Sequence, residues 1–167
     1  TLITEDVCFP PERLAQGAHD VQVLLAKHGF IPGVAGHAAH GNLHFTLVAD
    51  LCGADGLSRY SAFMTELVDL VVRKHDGSLK AEHGTGRNMA PFVVAEWGEK
   101  ATAMMWRIKQ LADPHGILAP EVILTRNPSL HLENLKSFPQ IEGITGSSQC
   151  IECGFCEPVC PSRNVTM

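Results

Sequence analysis

The sequence predicts an α+β fold, a split βαβ antiparallel sheet with helices on one face, followed by a short cysteine-rich segment. Three observations carry this expectation. Apolar residues recur every three or four positions in three stretches, they alternate or cluster briefly in others, and the two patterns follow one another as strand, helix, strand, strand, helix, strand. That order is the ferredoxin-like one.

The first strand, Ile3 to Phe9, runs into Pro10-Pro11, and proline in the first turn of a helix sacrifices no hydrogen bond. From Pro11 to His28 the residues Leu14, Ala18, Val21 and Leu25 share one stripe, and Gly29 stands where a C-terminal cap belongs. Ile31 to Asp50 reads as two strands joined by a turn, with Gly33, Gly36 and Gly41 as punctuation. In the second of these, Leu43, Phe45, Leu47 and Ala49 alternate with Asn42, His44, Thr46 and Val48, so Asn42 and His44 project from one face. A second helix, Ser58 to His75, carries Tyr60, Met64, Leu67 and Val71 on one stripe and ends at Asp76-Gly77. Ser78 to His83 is expected as a short strand. A third helix, Glu99 to Leu111, precedes the turn Asp113-Pro114-His115-Gly116, and Met64, Met104 and Met105 are expected as core filler on helical stripes. Residues 127–148 lack periodicity and contain Pro128, Pro139, Gly143, Gly146, Ser147 and Ser148, which predicts a linker with a short helix around Leu130 to Leu135.

Composition narrows the function. Of 167 residues 13 are basic and 18 acidic, giving a formal charge of −5 with nine neutral histidines. The apolar share excludes a wholly disordered chain, and the negative balance disfavours nucleic acid as a partner. The apolar runs at 67–72 and 92–95 are cut by charge well short of the ~20 residues of a membrane span. The chain opens on Thr1, shows no signal peptide, and stops at Met167 just past a cysteine cluster, so it is expected to be a piece of a longer protein.

Cys150, Cys153, Cys156 and Cys160 fall within eleven residues, while Cys8 and Cys52 stand alone and are expected as small buried hydrophobes. Cysteines two residues apart are poorly spaced to pair with each other and well spaced to converge on a metal, which argues for a reducing, cytoplasmic compartment. The spacing C-x2-C-x2-C-x3-C, followed by Pro161 and opened by Gly154, is the bacterial ferredoxin run for a 4Fe-4S cluster; zinc is the alternative. In that run the fourth cysteine commonly serves a second cluster. Either further cysteines lie beyond Met167, or Cys160 closes a single cluster alone.

A second constellation joins Gly36-His37-Ala38-Ala39-His40-Gly41-Asn42-Leu43-His44 with Lys80-Ala81-Glu82-His83-Gly84-Thr85-Gly86-Arg87. Imidazole and carboxylate together suit zinc, manganese or iron(II), with positions left open for substrate. Histidines also gather at turns because they are polar, so the pattern alone leaves both readings open. On a regular strand Glu82 and His83 would point to opposite faces; they reach one site only if the strand breaks, and Gly84 and Gly86 supply a break. Arg87 suits either a substrate carboxylate or a structural ion pair, and His40 suits the surface.

The segments GHAAHGNLHF, DGSLKAEHGTGRNMAPFVVAEWG and IKQLADPHGILAPEVIL resemble the C-terminal half of the FAD-linked oxidases of the vanillyl-alcohol-oxidase superfamily. The branch with D-lactate, glycolate and D-2-hydroxyglutarate dehydrogenases is the most similar, and the resemblance covers about residues 1–126. The tail QCIECGFCEPVCPSRN resembles the large bacterial members, whose flavin part runs directly into a ferredoxin-type part. The resemblance implies that His37, His44 and Glu82 ligate a divalent metal, that His83 is the catalytic base, and that Asn42 lies beside flavin and substrate. It further implies FAD bound mostly by a domain preceding Thr1, a small 2-hydroxy acid as substrate, and electrons passed through iron–sulfur clusters to a quinone or carrier protein. The chain divides accordingly into a substrate and metal domain (1–126), a linker (127–148) and the start of an iron–sulfur domain (149–167). The fragment alone is expected to be inactive and its parent cytoplasmic, with attachment to the inner face of the membrane and homo-oligomerisation both compatible. Two departures stand out: His40 occupies a position usually acidic in the family, and Ile3-Thr4-Glu5-Asp6 stands where some relatives place a substrate-binding lysine. A non-catalytic electron-transfer or docking module with a structural metal is the competing reading.

Overall fold

A computed structural model of the chain describes residues 2–48, 51 and 53–135. Strand β1 (Leu2–Cys8) leads through a 3-10 turn at Pro11–Arg13 into helix α1 (Leu14–Lys27). The helix stops in a Schellman arrangement: Gly29 takes φ 69°, its N–H donates to the Ala26 carbonyl at 3.0 Å, and the Phe30 N–H donates to Leu25 at 2.8 Å. A short strand β2 (Val34–Ala35) turns back into β3 (Asn42–Val48), giving an antiparallel three-stranded sheet ordered β1-β3-β2. Helix α2 (Ala54–Val68) begins before the expected Ser58 and continues as π-helical turns through Asp69–Lys74, where the His75 N–H reaches back five residues to Leu70. A four-residue helix α3 (Gly86–Met89) and the long α4 (Val93–Ala112) complete the order; Gly98, at φ 73° and ψ 168°, kinks α4 near its start.

The core lies between one face of the sheet and helices α1 and α2. Val7, Leu43, Phe45 and Leu47 of the sheet join Val21, Leu24 and Leu25 of α1 and Tyr60, Phe63, Met64 and Leu67 of α2 in one buried cluster. Burying each such side chain stabilises the fold by roughly 1.5–3 kcal/mol. On β3 the alternation holds: Leu43, Phe45 and Leu47 are buried while Thr46 and Val48 are exposed, which leaves His44 on the side of the sheet away from the core.

Four expectations need correction. Ser78 to His83 is not a strand, so among the described residues the sheet has three strands rather than the four of a split βαβ arrangement. Only Ser78 pairs, with Cys8. Beyond it the amide donors that a ladder would need are taken by side chains: Leu79 donates to the Glu96 carboxylate at 3.0 Å, and Glu82 and His83 donate to Asp6. Met104 is exposed rather than core, together with Ile108 and Leu111 on α4, and Cys8 is only half-buried. The helix expected at Leu130 to Leu135 is a single 3-10 turn, Leu130–Leu132. The cysteine cluster, Cys52 and the linker from residue 136 lie outside the described residues. Among the described residues no helix is long and apolar enough to cross a membrane.

The end of α2 is tied to α1 by charge. Asp20 Oδ2 sits 2.7 Å from both Lys74 Nζ and the buried His75 Nε2, and Gln16 donates to Oδ1 at 3.0 Å. Burial would raise the Asp20 carboxyl, but the hydrogen bonds from Lys74, His75 and Gln16 outweigh it and hold it at about 2. A carboxyl depressed in the folded state contributes stability above its unfolded value, and loses it as pH falls through the folded one. Asp20→Asn should therefore weaken the fold at pH 7, with the gap to the unmodified chain closing between about pH 4 and pH 2. Urea unfolding across that range measures it; equal midpoints at pH 7 would refute the tie.

Candidate functional site

The site is assembled from two chain segments laid over the open face of the sheet. The first is the turn before β3. His37 precedes a 3-10 turn at Ala38–His40, and Gly41, at φ 70°, returns the chain to the strand. A Cβ added at Gly41 would lie 1.9 Å from the Phe9 carbonyl oxygen, and one at Gly36 would lie 2.1 Å from the Asn42 oxygen, so backbone crosses backbone where no side chain fits. The turn sets the His37 and His44 rings 5.6 Å apart with their planes at 89°.

The second segment is held by β1. Asp6 pairs in register with His44, so their side chains share a face of the sheet. Asp6 is wholly buried, and its Oδ2 accepts the backbone N–H of Glu82 at 2.6 Å and of His83 at 3.0 Å. Burial would raise its pKa, but those two N–H groups and the Lys80 ammonium outweigh that, and the carboxyl sits below its ordinary value. Gly84 and Gly86, both at positive φ, then carry the chain into α3. The break expected from the glycines is thus complete before it reaches them: two successive N–H groups aimed at one oxygen cannot belong to a strand, and both side chains come to the same site.

Glu82 Oε1 lies 2.9 Å from His44 Nε2 and 3.5 Å from His37 Nε2. Ligating atoms of His37, His44 and Glu82 all fall within 4.8 Å of one another, as do those of Asp6, His44 and His83. Ring geometry separates the two sets. Imidazole lone pairs lie in the ring plane, so the perpendicular rings of His37 and His44 can aim at one point. The rings of His44 and His83 are stacked at 4.9 Å with planes 18° apart, and stacked rings send their lone pairs past each other. The set His37, His44, Glu82 therefore suits a divalent transition metal, two nitrogens and an oxygen with open positions, and leaves His83 unligated beside it.

Residues 1–123 match the family model of FAD linked oxidases, C-terminal domain. The chain belongs to this family. It is similar to D-2-hydroxyglutarate dehydrogenase of Escherichia coli strain K12, at 31% identity over 97% of this chain and 18% of that protein. It is also similar to D-2-hydroxyglutarate dehydrogenase of Haemophilus influenzae (35%, covering 72% and 12%) and to a glycolate oxidase subunit of Bacillus subtilis strain 168 (28%, covering 72% and 25%). The chain thus spans a quarter or less of the length of these relatives.

In this FAD-linked oxidase domain the other residues singled out in the sequence are placed as follows. Asn42 is buried at the start of β3, with its side-chain oxygen lacking a hydrogen-bond partner among the described residues. His40 is exposed, and Arg87 pairs with Glu121 at 3.6 Å. Cys150, Cys153, Cys156 and Cys160 lie outside the described residues. Sequence reasoning missed Asp6 and the residues behind it. Glu5, on the opposite face of β1 from Asp6, is buried and accepts hydrogen bonds from Lys80 and Asn88, while the Tyr60 hydroxyl donates to Asn88 Oδ1 at 2.7 Å. Burial pushes the Tyr60 hydroxyl well above its usual range, so it remains a neutral donor. The available signal was two adjacent acids in a short strand, since alternation turns one of them toward the core. A buried carboxylate that loses its cation is strongly destabilising. Lys80→Met should cost about 3 kcal/mol or more in chemical denaturation, and adding Glu5→Leu should recover most of it; a loss the second change does not recover would overturn the pairing.

Proposed function

We propose that this chain is the substrate-facing and metal-holding part of an FAD-dependent dehydrogenase of small 2-hydroxy acids. The observation that carries the reading is the convergence of His37, His44 and Glu82 from two chain segments, with His83 beside them yet outside the ligand set. Relatives named for D-2-hydroxyglutarate, glycolate and D-lactate support the substrate class.

His37, His44 and Glu82 would hold a divalent metal such as zinc, manganese or iron, which supplies Lewis acidity that lowers the pKa of a substrate hydroxyl. FAD supplies the acceptor for the two electrons and the hydrogen at C2. The chain's own part is acid–base and positional. His83 accepts the proton of the 2-hydroxyl at a ring nitrogen, and imidazole is the side chain suited to that near neutral pH. Its stacking on His44 fixes the ring beside the ligands. Asn42, buried with an unpartnered amide oxygen, offers a hydrogen-bond acceptor on the same strand as His44 and is assigned to the flavin and substrate side. Cys150, Cys153, Cys156 and Cys160 are assigned to 4Fe-4S ligation, as the exit for electrons toward a quinone or carrier protein. A cytoplasmic location follows from the same cysteine usage.

The test uses the full-length protein with its FAD. His83→Ala should abolish flavin reduction by a 2-hydroxy acid in stopped-flow absorbance while leaving metal content intact, and His44→Ala should lower the metal content itself. Reduction that survives His83→Ala would favour a docking or electron-transfer module with a structural metal.

A further inference from the structure

His131 is 6% exposed, and neither of its ring nitrogens has a hydrogen-bond partner among the described residues. A buried imidazole left without partners is costly and calls for an account. Its surroundings are aromatic: the ring centre lies 4.9 Å from that of Phe92 and 6.2 Å from that of Tyr60, tilted against both. The residue belongs to the 3-10 turn Leu130–Leu132, which packs on α3 and on the turn Ala90–Phe92 that follows it.

Among the described residues, the hydrogen bonds of the stretch 127–135 are all local. The Asn127 side chain accepts the Ser129 N–H at 3.0 Å and donates to Glu133 at 2.9 Å, and the Leu132 N–H donates to the Ser129 carbonyl at 2.8 Å. None reaches the sheet, α2 or α3. Apolar contact therefore seats the stretch: Leu130 is buried beside His131, and Leu132 and Leu135 pack against the core. The charges around it are committed elsewhere. Arg87 on α3 pairs with Glu121 at 3.6 Å, and the turn Ala90–Phe92 carries no charge. Tyr60 on α2 stays neutral and donates to Asn88, and Glu5 behind Asn88 is met by Lys80. Glu133 is held by Asn127. No carboxylate is left to answer a charged His131.

We infer that residues 127–135 form a pH-sensitive strap, seated against Tyr60 and Phe92 while the His131 ring is uncharged and released when that ring takes up a proton. Burial holds the docked imidazole below its ordinary value, against a smaller opposite effect of the Pro128 carbonyl. The released ring titrates at its ordinary value of about 6.5. Docking is thus complete above that pH and weakens about tenfold per pH unit below it, for as long as the docked ring stays neutral. Release moves the anchor from Leu135 back to Arg126, whose guanidinium lies 4.9 Å over the Trp106 ring. The chain that runs on to Cys150 then gains nine residues, roughly 30 Å of reach when extended.

Hydrogen exchange in the full-length protein with its FAD, read by mass spectrometry on peptides covering 127–135 and corrected for the intrinsic pH dependence of exchange, tests the strap. Between pH 7.5 and pH 5.5 the protection of Leu130–Glu133 should fall severalfold, with about tenfold as the limit, while that of α1 holds. His131→Phe, or the smaller His131→Leu, puts an apolar side chain that cannot be charged in the same niche and should keep its protection at both pH values. The proposal is overturned by protection in the unmodified protein that does not change between the two pH values, or by the same fall in both variants. It is equally overturned if both variants are unprotected already at pH 7.5, since the ring would then be needed for more than its lack of charge.

Discussion

Taking a carboxylate out of water is costly unless donors meet it, and β1 does so at two consecutive positions. Alternation sends Glu5 to the core side of the sheet and Asp6 to the histidine side. Both are answered largely by one stretch of chain. Lys80 stands against Glu5 and within 3.7 Å of Asp6, and the next backbone donors, at Glu82 and His83, close on Asp6. The segment from Ser78 to His83 is thus laid across the sheet by electrostatics where a ladder would have carried it along the edge. This constraint brings Glu82 and His83 to one site, which no regular strand could do.

What was legible in the sequence was local. The stripes of α1 and α2 and the cap at Gly29 follow from periodicity and from one residue's freedom at positive φ, and the structure has them as expected. The common face of Asn42 and His44 follows from alternation in the same way. The strand expected at Ser78 to His83 failed because its amide partners are side chains: Asp6 lies 76 and 77 positions away and Glu96 lies 17 away, and no short-range pattern encodes them. Met104 failed for a related reason. Periodicity reveals that a helix has an apolar stripe, and only packing decides what that stripe meets; on α4 Met104, Ile108 and Leu111 stay largely exposed among the described residues. Asp6 went unread because a charge in a strand resembles a solvated edge until its register with His44 is known.

The two chemical halves of the site differ in how they are fixed. His37 and His44 are set by covalent proximity through a tight turn, whereas Glu82 and His83 are set by the sheet through Asp6. The metal-binding geometry inferred for the first three residues therefore depends on both a local and a long-range element, and the stacked pair His44 and His83 is where the two meet.

The turn between Gly36 and Gly41 bears on how such a domain can diverge. Its two glycines press backbone against backbone and admit no side chain, and His37 lies inside them. The side chains of Ala38, Ala39 and His40 are exposed, while their backbone holds the turn: the Ala38 carbonyl accepts the Gly41 N–H at 3.1 Å and the His40 N–H donates to the His37 carbonyl at 2.9 Å. Substitution is thereby least constrained at these three side chains, which follow His37 directly in the chain. Charge can be exchanged there through the side chains alone, so that the field over His37, His44 and Glu82 can be retuned while the backbone that places them stays as it is.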